Sequence, residues 1–111
     1  MVSISYRLLV PGLILLFGAG CTTVPLTDGG EKVRLLSPAD VSACRLLGKT
    51  HTSVTARALG MPRPPETITR ELASIARNSA AQMGGDTVVP LTVISEGKQT
   101  FEVFKCVKPD G

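Results

Sequence analysis

Aromatic side chains are scarce in this chain of 111 residues: Tyr6, Phe17, Phe101 and Phe104 are the whole set, and Trp is absent. A core must therefore be built from Val, Leu, Ile and Ala. Charge of one sign is also lacking, because 12 basic and 9 acidic residues leave a scattered net charge of +3. No basic stripe points to nucleic acid. No apolar run reaches the ~20 residues that a membrane-crossing helix needs. Histidine occurs once, as His51. There is no Gly-x-Ser-x-Gly elbow, no HExxH pair and no phosphate-binding loop. A Ser-His-Asp set need not be close in sequence, but nothing near His51 beyond the hydroxyls of Thr50, Thr52 and Ser53 suggests one. The expectation is a non-catalytic chain with no metal. The length allows one domain and excludes a multidomain enzyme, and no internal repeat is visible.

What is present begins with an address. Met1 to Arg7 is short, polar and carries one positive charge, and Leu8 to Ala19 is apolar apart from Pro11, Gly12 and Gly18. Twelve such residues suit the core of a secretory signal. The segment closes on Gly18-Ala19-Gly20-Cys21. Small residues before a cysteine resemble a lipobox, with Gly18 where Leu is usual. That resemblance implies cleavage before Cys21 and a diacylglycerol on its thiol. Two or three acyl chains hold a protein stably on a membrane where one does not. Thr22, rather than Asp, after the cysteine favours the outer membrane, with the domain on its periplasmic face. Residues 1–20 are thus expected as a signal peptide, 21–30 as a lipidated start and short tether, and 31–111 as the domain. The covalent lipid on Cys21 is the only expected prosthetic group, and the membrane is the expected partner, with an envelope protein as a further candidate.

After removal of the signal the domain is small enough to bury only about 60–65% of its unfolded surface, so an added staple is expected. With Cys21 assigned to lipid, Cys44 and Cys106 are left, and an oxidising compartment makes a disulfide the default. Closing a loop of roughly sixty residues nominally stabilises by ~4 kcal/mol. The rival is a metal site of Cys44, His51 and Cys106, which lacks close ligand pairs and a fourth ligand.

Along the chain, residues 31–36 alternate as a half-buried strand, with Val33 and Leu35 on one face. Residues 41–49 suggest a second strand holding Cys44. Residues 50–65, with Gly60, Pro62, Pro64 and Pro65, read as a surface loop; His51 and Arg57 make it the candidate contact loop. From Glu66 to Met83, Ile68, Leu72, Ile75, Ala76, Ala80 and Met83 recur at spacings of three and four, predicting one amphipathic helix, with Glu71 among the residues on its polar side. Gly84 suits a left-handed exit. Gly84-Gly85-Asp86 could also form an anion-binding nest, although a helix end explains it with less. Residues 86–95 read as a strand edged by Pro90, residues 96–99 as a turn, and residues 100–107 as a last strand delivering Cys106. Lys98, Lys105 and Lys108 gather toward the end of the sequence, as edge protection or a lipid-facing group. The order β-β-α-β-β predicts an α+β domain: one helix on a small sheet, with one disulfide.

The chain resembles a family of small bacterial lipoproteins called domain of unknown function 4156. The residues that carry the resemblance are Cys21 after a signal, Cys44-Arg45-Leu46-Leu47-Gly48, Ala80-Ala81-Gln82-Met83-Gly84-Gly85-Asp86-Thr87-Val88, and Lys105-Cys106. Asp86 stands where Asn is expected. The family implies fold, anchoring and compartment, and brings no known activity. More distantly, the chain is similar to the outer-membrane lipoproteins that sense envelope stress for the Rcs phosphorelay. Those carry two disulfides and a long proline-rich tether, so their signalling role does not transfer. The functional expectation is an envelope lipoprotein acting as a binding or interaction module. The alternative is a structural or stress-sensing lipoprotein whose disulfide state or surface association is the signal.

Overall fold

The long helix organises everything around it. In the computed structural model, which describes residues 24–107, it runs over Pro65–Gln82. Proline at the first helical position has no N–H to leave unpaired and a backbone angle already suited to the helix. Ile68, Leu72, Ala76 and Ala80 form its buried stripe as expected, and Ile75 is half-buried. Met83 lies beyond the last turn and is exposed. The helix ends where glycine permits: Gly84 has φ +82°. Its N–H donates to the Ala81 carbonyl at 3.1 Å, while the Gly85 N–H donates to the Ala80 carbonyl at 2.8 Å. These two bonds make a Schellman cap. Gly85 is required for a different reason, since a Cβ there would collide with the Val103 side chain and crowd the Phe104 carbonyl.

In chain order the elements are α1 (Asp28–Glu31), β1 (Arg34–Leu35), a 3-10 turn (Pro38–Val41), β2 (Arg45–Ser53), β3 (Arg57–Ala58), β4 (Met61–Pro62), α2 (the long helix), β5 (Thr87–Pro90) and β6 (Lys98–Lys105). The main sheet has the order β1-β5-β6-β2, and β3 and β4 form a separate small hairpin. β1 runs parallel to β5, whereas β5–β6 and β6–β2 are antiparallel. The fold is α+β, one main helix on a mixed sheet. The register puts Phe101 and Val103 of β6 with Val88 of β5 beneath α2, in a core completed by Val33, Leu72, Ala76 and Ala80. Alternation sends Val89 and Phe104 to the opposite face. There they pack with Val41, Leu36 and the two cysteines. The sheet is therefore covered on both sides, by α2 on one face and by the segment 36–44 over part of the other.

Four sequence expectations change in the structure. Residues 24–30 are part of the folded unit rather than a tether. Asn78 of α2 accepts from the Thr27 N–H at 2.9 Å and donates to the Pro25 carbonyl at 3.0 Å. Thr27 caps α1, Gly30 is buried, and a Cβ on Gly30 would meet Asn78. The strand expected over 31–36 shrinks to two residues because Glu31 belongs to α1. Val33 is buried while Leu35 is 48% exposed, so they do not share a covered face. Thr50–Ser53 continue β2 rather than opening a loop, since β6 supplies a partner as far as Lys98. Finally, β5 stops at Pro90, after which the Leu91 and Thr92 N–H groups both donate to the Thr100 carbonyl and the regular ladder ends, and the arch of residues 91–95 returns through a two-residue turn. Glu96 and Gly97 both have positive φ there, +52° and +73°, and Ser95 and Lys98 exchange backbone hydrogen bonds. This is the geometry of the primed hairpin turns.

Candidate functional site

A second turn with two positive φ angles, like that at Glu96-Gly97, lies between β2 and α2. The ladder Arg57↔Pro62 and Ala58↔Met61 forces a turn at Leu59-Gly60, with φ +54° and +78°. Positive φ is routine for glycine, but at a leucine it costs roughly 1–2 kcal/mol. Packing does not offset that strain, because Leu59 is fully exposed and Met61 is 65% exposed. Strain of this kind points toward function. Arg57 leans along the hairpin, its Nη1 donating to the Gly60 carbonyl at 3.3 Å.

The hairpin is held firmly at its base. The Val54 N–H donates to the Gly97 carbonyl at 2.8 Å and the Arg63 N–H to the Ala56 carbonyl at 2.9 Å. Arg63 then braces the loop to the helix. Its Nη1 donates to the Thr55 carbonyl at 2.8 Å, and its Nη2 pairs with Glu71 Oε2 at 2.8 Å. The two side chains are 14% and 5% exposed. Glu71 was expected on the polar side of α2; an arginine from the preceding loop buries it instead. Between hairpin, helix start and the 96–97 turn lies a cleft of about 390 Å³, lined in part by Arg57, Pro62, Ile68, Ile94 and Glu96. It offers apolar wall, two arginines, of which Arg63 is already paired with Glu71, and one carboxylate, which suits contact with an amphipathic surface.

The other sequence candidates fall in separate places. Cys21 lies outside the described residues. Cys44 and Cys106 are bonded to each other, with Cα atoms 4.4 Å apart. His51 and Arg57 do not share a loop, which corrects that expectation. His51 sits in β2 opposite Thr100, its Nδ1 2.9 Å from the Thr100 hydroxyl, and Arg57 belongs to the hairpin. Lys49 and Glu102 pair two residues along the same open face as His51. The amides of Gly84 and Gly85 are committed to the helix carbonyls, so the nest reading gives way to the cap. Lys98 and Lys105 stand at opposite ends of β6 and do not gather; Lys108 lies outside the described residues. Among the described residues no three His, Cys, Asp or Glu side chains gather as metal ligands, and no helix is long and apolar enough to cross a membrane.

The family described as Domain of unknown function (DUF4156) matches residues 24–106. The chain belongs to this family. No curated protein and no solved structure matches it. The DUF4156 span begins with the segment docked on Asn78 and ends on the disulfide, so it coincides with the folded unit. Its shared motifs have physical roles. Cys44 to Gly48 carries the bond into β2 and includes the register shift between Leu46 and Gly48. Ala80 to Val88 is the helix end, its cap and the start of β5.

Asp86 is a residue whose role was missed. Its Oδ1 accepts from the Cys106 N–H at 2.8 Å and the Thr87 hydroxyl at 3.1 Å, and its Oδ2 accepts from the Val107 N–H at 2.8 Å. Desolvation would raise its pKa. The two backbone N–H bonds, the Thr87 hydroxyl and nearby Lys105 outweigh it and hold the carboxyl below its ordinary value. It fastens the chain beside the disulfide. Only its position after Gly84-Gly85 could have hinted at this.

Proposed function

We propose that this DUF4156 protein is an envelope lipoprotein, anchored through acylated Cys21 at the periplasmic face of the outer membrane, whose domain is a non-catalytic interaction module. The observation that carries the reading is the Cys44–Cys106 bond packed against Val41, Val89 and Phe104. A disulfide that closes one face of a core fits an exported protein. The signal pattern ending at Cys21 supports the anchor, and the hairpin end with its cleft is the contact surface. The packing of both half-buried cysteines against Val41, Val89 and Phe104 favours a brace over a redox sensor.

The test is an intact mass of the protein extracted from membranes, before and after reduction and thiol labelling. The expected result is acyl mass on a chain starting at Cys21, with no thiol labelled until reduction. An unacylated chain, or free Cys44 and Cys106, refutes the reading. A bond reduced by the glutathione pool would instead indicate a sensor, since structural disulfides resist it.

A further inference from the structure

We infer that the β3–β4 hairpin is a second membrane contact: Leu59 and Met61 enter the interface of an anionic bilayer while Arg57 meets its phosphates. The inference rests on the lipoprotein reading above and names the partner of the same surface. Three observations carry it.

The first is the tip itself, where Leu59 is fully exposed at φ +54° and Met61 is 65% exposed. A turn chosen only for solubility would place Asn, Asp or Gly at that position. The second is charge. The hairpin and its base, residues 54–65, hold no acidic residue, while Arg57 and Arg63 fall within that stretch. Of the acids that other elements bring near the hairpin, Glu71 is neutralised by Arg63, and Glu96 lines the cleft behind the tip. An apolar tip beside an arginine matches a headgroup layer, where the cation stays at the phosphates as the apolar groups sink.

The third is where the chain comes from. Val24 shares a surface depression with Thr55, Ala58, Glu71 and Ile75, so the folded unit begins beside the hairpin. Cys21 is three residues earlier, and an extended backbone covers at most ~11 Å in that distance. An acyl anchor at Cys21 therefore holds this end of the domain against the bilayer. Stable attachment commonly combines a lipid with a second signal, and the hairpin supplies one that also fixes the domain's orientation.

The test uses the absence of tryptophan from the chain. Leu59→Trp, and as control Val93→Trp on the exposed arch before β6, each give one indole in the full acylated protein. Both are reconstituted in vesicles of phosphatidylcholine alone or with phosphatidylglycerol, after mass has established the acyl group on Cys21. The expected result is a blue-shifted emission at position 59, quenched by bromine on the acyl chains, stronger with phosphatidylglycerol and reduced by added Arg57→Glu. Emission at position 93 should stay that of an indole in water. If position 59 remains as wet as position 93 on both vesicles, the membrane contact is refuted while the lipoprotein reading stands. If it shifts only when envelope proteins are added, the tip docks on protein and the bilayer is excluded as occupant. A chain without acyl mass on Cys21 removes the lipoprotein reading and this contact with it.

Discussion

Breaking the disulfide should unfasten one face of the sheet before the other. In Cys44→Ser/Cys106→Ser, the unfolded chain regains the freedom that a closed loop of roughly sixty residues withheld, nominally ~4 kcal/mol and more commonly 2–4 in practice. For a domain of this size the whole stability is only about 4–12 kcal/mol. The bond is thus a large fraction of the total, and its loss should lower Tm by roughly 10–25 °C. The structure also says where loosening starts. Segment 36–44 covers Val89 and Phe104 through Val41 and Leu36, and Cys106 ties it to the end of β6. The Cys44 N–H, bonded to the Val41 carbonyl, and the Cys106 N–H, bonded to Asp86, should lose hydrogen-exchange protection. Those of Val88 and Val103, under α2, should keep theirs until global unfolding. Urea denaturation of oxidised and double-serine protein, paired with exchange, tests both parts. The urea slope should rise, because the uncrosslinked unfolded state is more expanded. A stability change under ~0.5 kcal/mol, well below the range for such loops, or uniform loss of protection on both faces, would refute the view of the bond as a brace on the second face.

Three further perturbations test other parts of the fold. Glu71→Ala strips the partner from a nearly buried guanidinium and should destabilise by about 2–3 kcal/mol in urea, less than a sealed pair because Arg63 keeps the Thr55 carbonyl and can turn outward; a loss no larger than that of an exposed pair would show that the brace is not used. Asp86 has a folded pKa below its unfolded value, so its contribution is fully present above the unfolded pKa near 3.9 and is lost as pH falls through the folded value. Asp86→Asn should therefore flatten the decline of stability between pH 5 and pH 2, measured by urea titration at each pH. Leu59→Asn relieves left-handed strain at a fully exposed site and should stabilise by up to ~1 kcal/mol, since Asn is favoured in that conformation and the leucine cost is of that order; a destabilised variant in thermal melts would show that Leu59 packs in solution.

What could be read from sequence was whatever local physics dictates alone. α2 carries a period of 3.6 over five turns and a glycine stop, and its observed bounds, Pro65–Gln82, differ from the expected ones by one residue at each end. The pairing of Cys44 with Cys106 followed from counting the thiols left once Cys21 is assigned to a lipid and an oxidising compartment is expected. Features that depend on a distant partner were hidden. Residues 24–30 look like tether because they are polar and glycine-rich, yet one amide, Asn78, fifty residues on, docks them. Glu71 looks solvent-facing until Arg63 folds over it. Val33 and Leu35 alternate as a strand should, but α1 and the two-residue β1 leave no room for that strand to run. The hairpin was hidden for another reason: a two-rung ladder has no period, and its prolines and glycine read only as irregularity. Local rules are expected to fail at strained or functional positions, and Leu59 breaks two of them, by being apolar in water and by turning left-handed without glycine's freedom. Nothing in the described core needs that leucine, and the membrane contact inferred for the hairpin would give it a reason.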